Sequence, residues 1–119
     1  MKICITAQEP SPDSPIDPRF GRAAHFVVYD SEAKSWGIID NKQNLQAAQG
    51  AGIQAAATVV NAGCGVLITG HCGPKAFAAL SKAGVTAYTV SGVNAKEAVE
   101  QFKQGTLTKL QTADVEGHW

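Results

Sequence analysis

Two arginines, three cysteines and a complete lack of Asp and Glu between Asn41 and Lys96 are the scarcities that set this 119-residue sequence apart. Charged residues make up 17% of it, ten basic against ten acidic. There is no basic excess of the kind that binds nucleic acid or an anionic membrane surface. Uncharged stretches are broken by Asn, Gln or Gly well short of the ~20 apolar residues of a membrane span. The start, Met-Lys-Ile-Cys-Ile-Thr, enters an alternating pattern with no basic region, apolar block and cleavage site. A cytoplasmic protein is therefore expected, and an odd number of cysteines without framework spacing fits a reducing compartment. CxxC, HExxH, GxGxxG and GxxxxGK[ST] are all missing, which removes the usual mechanisms of structural zinc, metalloprotease, dinucleotide and P-loop proteins. A two-metal hydrolase would need carboxylates at the strand ends, and the central half of the chain supplies none.

What is present is a 45% hydrophobic chain of a length that suits one domain, residues 1–119. Lys2 to Thr6 reads as a strand with Ile3 and Ile5 on one face, and Cys4 mid-strand in the core. The loop to Arg22 holds four of the five prolines and is long enough to expect a function of it. Phe26–Asp30 and Ser35–Ile39 read as two antiparallel strands. Leu45 to Ala62 reads as an uncharged helix stopped by Gly63, or as one that starts only at Gly52. Val66–Thr69 and Val85–Val90 read as strands around a helix from Pro74 to Lys82. Asn94, with Glu97 three residues on, caps a third helix ending before Gly105, and Thr106–Leu110 reads as an edge strand. Such alternation places parallel strands at the centre and helices on both faces, with ligands beyond the carboxyl ends of the strands. The long loop, the Gly70–Gly73 turn and the Ser91–Asn94 turn converge there.

Both arginines lie in Asp17-Pro18-Arg19-Phe20-Gly21-Arg22. Two always-charged forks beside a glycine suit recognition of an anion, while the plainer reading pairs an arginine with Asp17 or Asp13 to pin the loop. The second constellation, Gly70-His71-Cys72-Gly73-Pro74-Lys75, runs from a strand end into a helix start, where backbone N–H groups and the helix dipole favour an anion. Lys75 would add a full charge. A thiol placed there gains thiolate character, so Cys72 is a candidate soft-metal ligand or nucleophile, against the reading of an inert buried thiol. His71 is a possible ligand or a turn residue, and neither His25 nor His118 supports a claim. Cys64 and Cys72 bracket a strand and should stand near its opposite ends.

Ile16-Asp17-Pro18-Arg19-Phe20-Gly21-Arg22-Ala23, Phe26, Gly52-Ile53-Gln54-Ala55-Ala56 and Ile68-Thr69-Gly70-His71-Cys72-Gly73-Pro74-Lys75-Ala76-Phe77 together resemble the dinitrogenase iron-molybdenum cofactor biosynthesis family over nearly the whole chain. The resemblance implies a three-layer α/β/α ribonuclease H-like fold with a mixed, mostly parallel five-stranded sheet. It also implies a protein that carries or inserts metal-sulfur clusters without catalysis. The Arg loop and Cys-Gly-Pro turn are most similar to members that hold a molybdenum-copper sulfide cluster. Nitrogenase-associated members carry His in the Phe-Gly loop, where this chain has Arg19 and Arg22, a departure that leaves anion binding intact. The expectation is a carrier in which Arg19, Phe20, Gly21, Arg22, Gly70, His71, Gly73, Pro74 and Lys75 surround a thiomolybdate-type cluster. Arg19, Arg22 and Lys75 would neutralise it, backbone N–H groups of the turn would donate to sulfide, and Cys72 would ligate copper. Other metal-sulfur clusters could take its place, and cluster donor or acceptor proteins would be the partners. The rivals are an enzyme using Cys72 as thiolate nucleophile with His71 or His25 as base, and a cluster-free interaction module.

Overall fold

Runs of β-branched and aromatic residues become strands and the Ala-rich segments become helices in a computed structural model that describes residues 1–41 and 51–111. The order is β1 (Lys2–Ala7), β2 (His25–Asp30), β3 (Ser35–Asp40), α1 (Ala51–Asn61), β4 (Val66–Thr69), α2 (Pro74–Lys82), β5 (Thr86–Thr89), α3 (Ala95–Gln104) and β6 (Thr108–Lys109). A single 3-10 turn, Phe20–Arg22, interrupts the loop after β1. The part of the expected first helix at 45–50, and the tail with His118, lie outside the described residues.

Local chemistry accounts for the boundaries. The Asp30 carboxylate accepts the Glu32 and Ala33 N–H groups at 3.0 and 3.2 Å, closing the β2–β3 hairpin and holding its own pKa below the ordinary carboxylate value. Pro74 opens α2, where a missing N–H is no loss. In α3 the Asn94 side chain accepts from Glu97 N at 2.8 Å and Glu97 Oε1 accepts from Asn94 N at 3.3 Å. Gly105 ends that helix at φ 74°, a left-handed conformation that L side chains rarely adopt.

The strands join in one sheet of order β3-β2-β1-β4-β5-β6. Two features differ from expectation. Among the described residues there are six strands rather than five, because Thr106–Leu110 does contribute an edge strand, shortened to Thr108–Lys109. The sheet is also mostly antiparallel: β1·β4 and β4·β5 run parallel, while β1·β2, β2·β3 and β5·β6 run antiparallel. A parallel neighbour needs a crossover that carries the chain back to the starting end, usually a helix. The loop after β1 holds only a 3-10 turn and so returns as antiparallel β2, and four residues fold β2 onto β3.

Alternation along the strands feeds an apolar layer on each face. Cys4, Phe26, Leu67 and Ala87 pack with Val59 of α1 and Leu80 of α2. Ile3, Ile5, Val27, Tyr29 and Ile68 pack with Ala95, Ala98 and Val99 of α3. α1 turns Ala51, Gly52, Ala55, Ala56 and Val59 inward, a stripe of small side chains that lets an uncharged helix approach closely. Among the described residues no helix is long and apolar enough to cross a membrane.

Candidate functional site

Because β1, β4 and β5 are parallel, Ala7, Thr69 and Thr89 end at the same edge of the sheet, and the loops that follow them meet there. Beneath those loops the buried Thr6 hydroxyl donates to the Asp17 carbonyl at 2.7 Å and shares a 3.0 Å hydrogen bond with the Thr69 hydroxyl. Asp17 N donates to the Thr6 carbonyl at 3.0 Å. The start of the arginine segment is thus fixed to the ends of two strands.

Backbone hydrogen bonds extend this join in both directions. His71 N donates to the Pro18 carbonyl at 2.7 Å and Phe20 N to the His71 carbonyl at 3.3 Å, a short parallel bridge between the arginine loop and the β4–α2 turn. Gly70 is what permits the approach, since a Cβ there would lie 2.6 Å from Pro18 Cα. On the other side Ile16 N donates to Val93 O, Ala95 N to Ser14 O and Lys96 N to Pro12 O, which ties the loop to the β5–α3 turn. The three expected loops do converge.

Phe20, 0% exposed, drops from this loop into the α1/α2 layer and stacks on Phe26 with centroids 5.9 Å apart. Gly21 is buried beside it, and the flanking arginines are left outside, with Arg19 52% exposed and Arg22 half-buried. The pinning role considered for Asp17 is also present: its carboxylate accepts from Arg19 N at 2.9 Å, and Arg19 Nε stands 3.7 Å from the same oxygen. A half-exposed pair at that distance contributes about 0–1 kcal/mol, so the guanidinium stays available to a second anion.

On the other side of the bridge, Gly73 caps α2 without any side-chain hydrogen bond, Pro74 and Lys75 are exposed, and no acidic residue lies in the first turn. The N-terminal amides of α2 and the Lys75 ammonium therefore share one surface. His71 stands in the bridge itself, and Cys72 is enclosed beneath it. The His71 N–H is already given to Pro18, and its side chain is exposed. Cys72 is 0% exposed, part of the α1/α2 layer, with Sγ 3.7 Å from the Gly73 carbonyl. Its sulfur lies under the turn instead of on the surface that carries the cations. Among the described residues no group of three or more His, Cys, Asp or Glu could hold a metal ion. A cavity of about 490 Å³ beside the β5–α3 turn is lined by Gln8, Pro15, Ile16, Gly92, Val93, Asn94 and Glu97. Its lining presents a carboxylate and no cation.

Pro18, Thr6 and Thr69 hold the site together without having been singled out from sequence, and Asp17, read there as a pin for an arginine, also joins the loop to Thr6. The only signal for them was position, in the motif or at a strand end.

Comparison with known proteins places this architecture. Residues 1–105 match the dinitrogenase iron-molybdenum cofactor family. The chain belongs to that family. A solved structure of the apo form of the orange protein from Desulfovibrio gigas is similar at TM-score 0.93 and 39% identity, over 96% of each chain. A Thermotoga protein described as a candidate NifB protein of the DUF35 family is similar at TM-score 0.85 and 31% identity, over 98% of each chain. A candidate dinitrogenase from Methanocaldococcus jannaschii shares the fold at TM-score 0.70 and 18% identity, covering 94% of this chain and 96% of that one. A comparison with curated protein sequences returns no match. Cofactor biosynthesis and metal-cluster binding are thus the functional setting of this family member.

Proposed function

We propose that this protein is a small cytoplasmic carrier, not an enzyme, whose cargo is an anionic molybdenum-containing sulfide cluster of the molybdenum-copper thiomolybdate type, received from and passed to partner proteins. The observation that carries the reading is the Arg19–His71 backbone bridge, which sets the arginine loop against the side-chain-uncapped start of α2. Likeness to the orange protein supports the choice of cluster, and family membership supports the ribonuclease H-like placement of the fold.

In this reading Arg19 and Arg22 direct their guanidinium N–H groups at the sulfides on one side of the cargo. Lys75 and the first amides of α2 face it from the other, where the helix dipole adds a partial positive charge. Phe20 and Gly21 hold the spacing of the two forks, and Gly70, Gly73 and Pro74 shape the turn that receives them. Cys72 supports a packing role, since a thiolate ligand or nucleophile has to reach its target and this sulfur is enclosed. The rival enzyme also needs a base directed at that sulfur. The His71 side chain is exposed while its neighbour is buried, and strand alternation puts His25 with Val27 and Tyr29 on the α3 face, away from the layer that holds Cys72.

The test is to mix metal-free protein with tetrathiomolybdate and copper, desalt, and record the visible spectrum with metal analysis. Wild type should retain a coloured molybdenum-copper species. Arg19→Ala/Arg22→Ala should bind it about a hundredfold more weakly, on a scale of about 1.5 kcal/mol for each charge-assisted hydrogen bond removed. A wild type that retains nothing refutes the carrier reading.

A further inference from the structure

The two edges of the sheet are built differently. β6 is two residues long, both exposed, and ends in Lys109, a short charged edge of the kind that discourages pairing with another chain. β3 at the other edge runs for six residues, Ser35–Asp40, with no proline and no charge before Asp40. Among the described residues no strand lies beyond it. Asn41 N donates to the Ala24 carbonyl at 2.9 Å, the rung next to the His25–Asp40 pair, and bonded pairs alternate along an antiparallel ladder. Ser35, Gly37 and Ile39 therefore turn their N–H and C=O groups to β2, and Trp36 and Ile38 turn theirs outward. Ile38 is 43% exposed, and a Cβ on Gly37 would meet nothing within 4 Å.

We propose that β3 is a pairing edge for a second copy of this chain, the two β3 strands lying antiparallel about a twofold axis at Gly37. Side-chain alternation admits only registers that set even-numbered residues against even and odd against odd. Centred on Gly37, Trp36 stands opposite Ile38 of the second copy on the face that carries α3, an aromatic and a β-branched residue in each of the two symmetric pairs. Trp36 is already held there by Tyr29, with ring centroids 4.8 Å apart. Lys34, at the end of the hairpin turn, comes opposite Asp40 of the second copy, so opposite charges meet at both ends of the ladder. On the α1/α2 face a cavity of about 320 Å³ lies beside Gly37, with Lys2, Val28, Ser35, Ile39 and Ala62 in its lining. Ile39 of the second copy, opposite Ser35, falls at its mouth. A register centred on Ile38 would instead set Trp36 against Asp40, an apolar residue against a charge. The surface that pairs is the same on both copies, as a closed twofold contact requires. Antiparallel pairing also sends the carboxyl ends of the parallel strands in opposite directions, so both cation surfaces stay open.

A short ladder with two apolar pairs stands at the small end of specific contacts, so the dimer should dissociate at about 10–100 μM. Sedimentation equilibrium of the reduced full chain from about 5 to about 500 μM tests this. Thiomolybdate and copper are left out, so the result is independent of the carrier reading. Wild type should pass from monomer to dimer over that range. Ile38→Pro takes away an outward N–H while sparing the bonds to β2, and Ile38→Lys puts a charge on the edge. Each should weaken the dimer more than about tenfold with unchanged circular dichroism. Gly37→Cys, on the axis where the Cα atoms of a non-bonded pair stand about 4.5 Å apart, should form an intermolecular disulfide on mild oxidation. Ser35→Cys, which meets Ile39 rather than its own copy, should not. A wild type that stays monomeric to about 500 μM overturns the proposal, as does a dimer that Ile38→Lys leaves at full strength. A dimer linked by Ser35→Cys and not by Gly37→Cys overturns pairing about Gly37.

Discussion

Replacing Gly70 by alanine tests whether the two halves of the candidate site depend on one close approach of backbone. The new Cβ would fall 2.6 Å from Pro18 Cα, 2.8 Å from Pro18 O and 3.0 Å from Pro18 Cβ. Two of these atoms are backbone, and the carbonyl is held by the 2.7 Å bond from His71 N, so relief comes only from moving the arginine loop away. That movement breaks the His71–Pro18 bond and the 3.3 Å bond from Phe20 N to His71 O. At about 1 kcal/mol for each bond and about 1–3 kcal/mol of overpacking where the loop moves only in part, Gly70→Ala should lose about 2–4 kcal/mol. For a domain of this size that corresponds to a melting point lower by about 8–16 °C. Urea unfolding monitored by far-ultraviolet circular dichroism gives the number, and the desalting assay with thiomolybdate and copper reports the site. Gly65→Ala is the control, since a Cβ there meets nothing within 4 Å, and it should stay within about 0.5 kcal/mol of wild type or gain slightly. A Gly70→Ala protein as stable as wild type and equally able to hold the coloured species would refute the idea that this glycine joins the loops.

Asn94→Ala removes one half of the reciprocal cap of α3 and should cost about 0.5–2 kcal/mol in urea unfolding, with faster amide exchange at Glu97. The Asp30 carboxyl, held down by the Ala33 and Glu32 amides, should titrate by carbon-13 NMR below the usual carboxylate pKa of about 3.9. A depressed folded-state pKa stabilises the protein above the unfolded-state value, and that stability disappears as pH falls through the folded value. The acid limb of the stability curve should therefore be shallower in Asp30→Asn. Cys72→Ala should bind the cluster as wild type does while losing some stability from the emptied space, and a colourless variant would instead make Cys72 a ligand.

The elements whose ends are set by neighbouring residues were legible from sequence. Pro74 marks the start of α2, Asn94 and Glu97 the start of α3, Gly105 its end, and Val66–Thr69 is a strand with the bounds that its composition suggests. Strand direction was less legible, because whether a segment returns parallel or antiparallel depends on what the intervening loop does in three dimensions. The residues between Ala7 and His25 carry no sign that they make one 3-10 turn and come back. For the site, clustering of Arg19, Arg22 and Lys75 on two segments could be read, and the backbone join between Pro18 and His71 could not, since neither residue type announces it. Cys72 shows the same limit. Its place before a helix suggested reactivity, and only packing reveals that it is enclosed.

The bridge between Pro18 and His71 also fixes when in the life of the molecule the cation surface can exist. Its two strands of chain are far apart in sequence, and the second arrives only after β4 has docked beside β1. Non-local pairings of this kind form late, once the loop between them has been closed. A chain still emerging from the ribosome has Arg19 and Arg22 long before it has His71 and Lys75. A half-made molecule therefore presents two loose arginines and no cradle. Under the proposed carrier reading, loading therefore waits for the finished fold.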